Sequence, residues 1–322
     1  MKKCTLKFVS IITIVLLMIS NLSMLSMAIS IENTEFDIND YTLSDILLMD
    51  SEEFSYLLNN FERIYDPFNT YGTEYQATNI INGETAELQW TSGNADHSEE
   101  GTHELITAKA CGYLLSEKGF WSSNHNAALL LALTISLASI LPDVDQLQND
   151  ILFIGHFYDP DTETSYLGST TNTAKTNTVS FYNDAKSEYI QNGISSDFCE
   201  YVGRMLHYLQ DANEPHHASN ITGANLSHPA FESFTYNNID NCFNTIYSIP
   251  QSSYTFATSN SVGNIVKYYA TLAKQHKSSV NNILNQSNWG NVANICVRNA
   301  VISTATLLYK LSIDAGIPLY IS

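Results

Sequence analysis

Basic residues are scarce in this 322-residue chain: 14 Lys and Arg stand against 33 Asp and Glu, a formal net charge of −19. Wrapping duplex nucleic acid requires a basic face to neutralise phosphates, so no nucleic-acid partner is expected. Electrostatic docking on anionic lipid is disfavoured for the same reason. Charged residues of both signs make up only 15%, yet apolar residues reach 44%, so a core can form and wholesale disorder is excluded. The five cysteines include no C-x-x-C pair, and a chain of this length does not need a disulfide framework. Cys111, Cys199, Cys242 and Cys296 are expected to be buried free thiols. Period-2 strand patterns are sparse and no repeat recurs at a fixed period. Beyond the N-terminus no apolar run is expected to cross a bilayer; the stretch from Ala127 to Leu141, about fifteen residues, is expected to be a buried helix.

The N-terminus divides into segments of different character. Lys2, Lys3 and Lys7 precede an apolar run from Phe8 to Ile19, and Ser26 and Ala28 supply small residues at a cleavage site after Ala28. Residues 1–28 therefore read as a signal peptide, and the chain is expected to be secreted. Residues 29–89 hold 13 acidic residues, one basic residue and no histidine. They are read as a pro-segment or small accessory region with one helix: Asp50 or Ser51 as cap, Glu52 and Glu53 in the first turn, and Phe54, Leu57, Leu58, Phe61 and Ile64 on one face.

All nine histidines lie in residues 90–322, where helical periods dominate. Thr102 is placed as a cap before Leu105, Ile106, Ala110 and Leu114. A helix over about 124–141 is expected to stop at Pro142. Phe198, Val202, Met205, Leu206 and Leu209 form an apolar stripe that ends before Pro215. The expected fold is all-α, with residues 90–322 as one domain.

The densest chemistry is H-Y-L-Q-D-A-N-E-P-H-H, His207 to His217. His207 and Asp211 are one helical turn apart on one face, a spacing that can hold a divalent metal, and the carboxylate can bridge to a second ion. H-P-A-F-E follows, with His228 and Glu232 again at i and i+4. A single such pair is usually a polar pair facing solvent. Two of them joined by Pro-His-His favour a multinuclear site, and imidazole with carboxylate suits zinc better than calcium or magnesium.

Five stretches occur in a fixed order: Trp90 followed by G-T-H ending at His103; Pro142-Asp143; H-F-Y-D-P-D-T from His156; the His207–His217 run; and H-P-A-F-E. In these the sequence resembles the zinc-dependent bacterial phospholipases C, the family of clostridial alpha-toxin and the phosphatidylcholine-preferring Bacillus enzymes. The resemblance covers about residues 90–235 and implies a catalytic domain at 90–322 holding three zinc ions. It assigns the α-amino and carbonyl groups of Trp90, with His103 and Asp211, to one ion. Asp143, His156, His207 and a bridging Asp211 would hold the second, and His217, His228 and Glu232 the third. Trp90 can ligate through its amine only as a mature N-terminus, so a zymogen cut between Gln89 and Trp90 is implied. Asp143 is the candidate catalytic base or orienting ligand.

His216 has no ligand counterpart, nor have His97, His125 and His276. Phe153 matches one wall of the family's choline cradle. Its other walls fall at Val144 and Gly93, so headgroup preference stays open. A phospholipid substrate, transient contact with a membrane surface and a monomer are expected, without the C-terminal membrane-binding domain of alpha-toxin. Two alternatives remain: a single-strand nuclease or nucleotidase of the same trinuclear fold, and a non-catalytic secreted zinc-binding protein. Glu232 in place of the nucleases' usual Asp favours the lipase side.

Overall fold

The computed structural model describes residues 41–65, 101–148 and 152–321, and among these it is helical, with two isolated bridges and no strand. The signal peptide, Trp90, His97 and the Gln89–Trp90 bond lie outside the described residues. In chain order the helices are α1 Ser51–Tyr65, α2 Thr102–Lys118, α3 His125–Ala138, α4 Leu141–Gln148, α5 Ala174–Asn192, α6 Ser196–Asp211, α7 Ser227–Tyr236, α8 Ile239–Phe243, α9 Gln251–Ser259, α10 Val262–Lys274, α11 Lys277–Val280 and α12 Trp289–Ala315. Short 3-10 turns at Asp45–Leu47, Leu152–His156 and His217–Ser219 connect them.

The 16-residue α6 is central to the site. Ser195 caps it by accepting from the Phe198 N–H, and Phe198, Val202, Met205, Leu206 and Leu209 are buried as their spacing requires. One face packs on α5 and another on α3. The α3 crossing depends on Gly203: a Cβ there would lie 2.4 Å from Ala138 Cβ and 2.5 Å from the Ala138 carbonyl carbon. Only a residue without a side chain lets the two backbones approach this closely.

Helix α3 stops earlier than Pro142 suggests. It breaks at Ser139–Ile140, and Pro142 instead sits in the first turn of α4, where its missing N–H is not needed. The run His125–Asp145, like Trp289–Ala315, reaches the length and hydropathy of a membrane span, contrary to the expectation from the sequence. In each, 72% of the most apolar window is buried inside the fold, the behaviour of a core helix. Residue 102 opens α2, with Gly101 as the residue before it.

The α1 segment packs into the main core. Leu43, Ile46, Phe54, Leu57, Leu58 and Phe61 are buried in the same apolar cluster as α2 and α12. Lys109 of α2, buried, donates to the carbonyls of Ile46 (2.6 Å) and Met49 (2.5 Å), and the Ser51 N–H and hydroxyl donate to Asp240 (2.8 and 2.7 Å). Burial pushes the Lys109 ammonium down to about 8. Cys111, Cys199, Cys242 and Cys296 are buried and free, as expected.

Candidate metal centre

The break between α3 and α4 creates the first fixed point of the site. The Asp143 N–H donates to the Ile140 carbonyl (3.0 Å), so the Ser139 carbonyl turns to α6 and accepts from His207 Nδ1 at 2.7 Å. A carbonyl only accepts, so His207 carries its hydrogen on Nδ1, and Nε2 of the neutral ring presents a lone pair. That Nε2 faces Asp211 Oδ2 at 3.2 Å, Asp143 Oδ1 at 3.4 Å and His156 Nδ1 at 3.0 Å. His156 Nδ1 is in turn 2.9 Å from Asp211 Oδ2 and 3.6 Å from Asp143 Oδ1. Four donor atoms thus converge at separations of 2.9–3.6 Å. A tetrahedral zinc shell with bonds of 2.0–2.2 Å has edges of about 3.4 Å. Lone pairs and carboxylates so packed repel unless a cation sits among them or the rings take second protons.

Asp211 reaches beyond this group. Its Oδ1 is 3.6 Å from His103 Nε2 and 3.6 Å from His217 Nδ1, so the two oxygens face different neighbours, as a bridging carboxylate requires. His103 stacks on His207 with ring centroids 4.0 Å apart. Its Nδ1 lies 2.8 Å from Gln210 Oε1, while Gln210 Nε2 donates to Thr107 (2.9 Å) and Thr304 (3.3 Å). This buried amide, one residue before Asp211, orients the His103 ring in the way outer-shell partners fix ligand imidazoles.

The third group forms where the chain leaves α6. His217 Nδ1 lies 3.0 Å from the His156 carbonyl, which directs Nε2 at Glu232 Oε1, 3.2 Å away. From α7, His228 Nε2 reaches the same oxygen at 2.9 Å. His228 Nδ1 and Glu232 Oε2 are buried with no hydrogen-bond partner among the described residues, and so is His156 Nε2.

Electrostatics follow from burial. Desolvation lowers His103 to about 4, with the neighbouring His207 adding to the effect. Burial also opposes charge on His207 and His217, but Asp143 and Asp211 around the first ring and Asp211 and Glu232 around the second outweigh it, carrying both up to about 10 in the absence of metal. Burial would raise the carboxyls, yet the surrounding imidazoles hold Asp143 and Asp211 below the usual range and Glu232 at about 2. Asp143 also stands in the first turn of α4, where the helix dipole favours an anion.

Every predicted ligand among the described residues falls in one of three contiguous buried groups: Asp143, His156 and His207; His103, His207 and Asp211; and His217, His228 and Glu232. Mixed histidine and carboxylate donors suit a transition metal such as zinc better than calcium or magnesium, which prefer all-oxygen shells. His125 and His276 lie outside these groups. The sequence reading omitted Glu214, the fourth member of the third group, as well as Gln210. The signal for Glu214 was present as a second carboxylate within the His207–His217 run. Phe153, half-buried, meets Phe157 and Tyr166 edge-on at ring centroids of 5.0 and 5.8 Å and lies 6.3 Å from the His156 ring. Tyr166 is a second aromatic at this edge that the sequence did not single out.

No family model matches the chain. It is 28% identical over 237 residues to a phospholipase C of Paraclostridium bifermentans, covering 65% of this chain and 58% of that one. A phospholipase C of Clostridium perfringens is 27% identical over 265 residues, covering 74% and 65%. Alpha toxin from Clostridium absonum superposes with a TM-score of 0.58 at 25% identity, over 67% of this chain and 64% of that one. In sequence and in fold, the chain resembles the bacterial phospholipases C. A phospholipase C of Bacillus cereus is 39% identical over 77 residues, covering 24% of this chain and 26% of that one. The chain spans about three-fifths of the length of the clostridial phospholipases C it matches.

Proposed function

We propose that the chain is a secreted zinc metallo-phosphodiesterase. It would hydrolyse glycerophospholipids of the phosphatidylcholine type to diacylglycerol and a phosphorylated headgroup. The observation that carries this reading is the contiguity of three buried histidine–carboxylate groups, with Asp211 facing two of them, in a fold like that of the phospholipases C.

Three zinc ions are assigned. Trp90, His103 and Asp211 would hold the first, Asp143, His156, His207 and Asp211 the second, and His217, His228 and Glu232 the third. Bound zinc would supply Lewis acidity at the phosphoryl oxygens and a water acidic enough to ionise near neutral pH. The chain's own residues do the positioning. Ser139 and Gln210 fix the tautomers of His207 and His103, so that each presents Nε2 to the proposed metal centre. Asp143, whose Oδ1 lies 3.6 Å from His156 Nδ1 and 3.4 Å from His207 Nε2, would orient the attacking water and accept its proton. Phe153 and Tyr166 offer aromatic faces to a quaternary ammonium.

Trp90 serves as a ligand after cleavage of the Gln89–Trp90 bond. Residues 41–61 share the main core, so this cut would leave them bound without a covalent link.

Parallel assays on phosphatidylcholine and single-stranded DNA, with and without chelator, test the activity. Release of phosphorylated headgroup that stops on chelation is the expected result. Nucleotide release instead would favour the nuclease reading, and bound zinc without either activity the non-catalytic one. Sequencing the N-termini of active protein from culture medium should return Trp90, beside Ile29 from the retained segment; Ile29 alone with full metal content contradicts the cleavage.

A further inference from the structure

The third ligand group contains a carboxylate that the resemblance does not assign. Glu214 is fully buried, and its donor atom lies within 4.8 Å of those of His217, His228 and Glu232. Its Oε2 is 3.9 Å from His228 Nε2 and accepts from the His217 N–H at 2.7 Å. Its Oε1 is 2.7 Å from His216 Nδ1. The His216 ring is itself buried, lies stacked on His228 at 4.9 Å and 12°, and places Nε2 3.2 Å from Ser227 Oγ. The carboxylate is therefore locked in place from behind by an imidazole and from the side by a backbone N–H.

An ionised carboxylate has about four lone-pair positions. Two are used by His216 and His217, leaving capacity on Oε2 toward the group. An isolated buried carboxylate is costly unless paired or bound to a cation.

We propose that Glu214 is a fourth protein ligand of the third ion, completing a shell of two histidines and two glutamates, with His216 as the residue that positions it. This rests on the metal reading of the site. Two carboxylates and two neutral imidazoles balance a divalent charge inside the protein. Four protein donors also fill a tetrahedral zinc shell, the arrangement of retained structural sites rather than of sites with an open position. The third ion is then held for the life of the fold. Contacts to the phosphodiester fall to the two groups that share Asp211.

The test compares zinc release to a chelator from the wild-type protein and from Glu214→Gln, which keeps the volume and can still accept from the His217 N–H. Loss of an outer-shell partner weakens metal binding by about 10–100-fold, so loss of a ligand should speed release of the slowest ion by more than about 100-fold. A smaller change overturns the proposal and leaves Glu214 as a cap for the turn. Three equally retained ions in both proteins would overturn Glu214 alone, whereas a wild-type protein that binds no zinc overturns the metal reading as well. A zinc-edge crystal structure of the wild-type protein decides the matter even if the variant does not fold. A Glu214 oxygen at about 2.0–2.2 Å from the ion supports ligation, and one beyond about 3 Å overturns it.

Discussion

Replacing Gly203 with Ala should damage the fold and the metal centre together. The added Cβ would meet Ala138 Cβ at 2.4 Å and the Ala138 carbonyl carbon at 2.5 Å. Carbon atoms rest at about 3.5–4.0 Å, so α3 and α6 must part by roughly 1 Å. Overpacking of this kind costs about 1–3 kcal/mol. The same displacement stretches the 2.7 Å bond between His207 Nδ1 and the Ser139 carbonyl, which lies at the adjacent residue, beyond hydrogen-bonding range. Losing it adds about 1 kcal/mol and removes the partner that orients a ligand, with a fall in zinc affinity of about 10–100-fold. Urea unfolding of zinc-free and zinc-loaded protein, with a zinc titration, separates the two effects. Gly290→Ala is the control, because a Cβ there meets nothing within 4 Å and Ala favours the helix by up to about 1 kcal/mol. A Gly203→Ala protein as stable and as zinc-avid as wild type would refute the link between this helix crossing and the site.

Asp143→Asn should lower kcat by about 10²–10⁴-fold while much of the zinc is kept; full activity with normal zinc content removes Asp143 from the mechanism. Leu57→Ala should lower the stability of the whole domain by about 2–5 kcal/mol in urea, because Leu57 is fully buried in the main core. An unchanged transition would make α1 a detachable segment. In the zinc-free protein, His207 and His217 titrate at about 10, above the unfolded value of 6.5. The stability they contribute is complete below pH 6.5 and is lost as pH rises through about 10. Zinc must displace those protons, so zinc binding strengthens over the same interval. Urea midpoints between pH 6 and 10 should therefore diverge with and without zinc, and parallel curves would contradict the assignment.

Much of the site is written locally. The i and i+4 spacing of His207 with Asp211 and of His228 with Glu232 sets each pair on one helical face, and the stripe from Phe198 to Leu209 fixes which face of α6 is buried. What the spacing cannot express is which backbone comes close. The Ser139 carbonyl is available to His207 only because the helix breaks before Pro142, a position the sequence reading took as a stop rather than a start. Gln210 looked like any polar residue of a helix until Thr107, Thr304 and His103 surrounded it. The acidic composition of residues 29–89 suggested a separate unit. The face Phe54, Leu57, Leu58 and Phe61 needed a partner, and nothing in the local pattern names α3 as the neighbour. Glu214 and His228 stand on different elements, so their approach depends on the turn that follows α6 and not on any local spacing.

The central claim is a zinc-dependent phosphodiesterase, and elemental analysis coupled to activity tests it most directly. Purified protein should carry three zinc ions per chain, release phosphorylated headgroup from phosphatidylcholine, lose that activity on removal of zinc and regain it on readdition. Undiminished hydrolysis by the zinc-free protein would contradict the account.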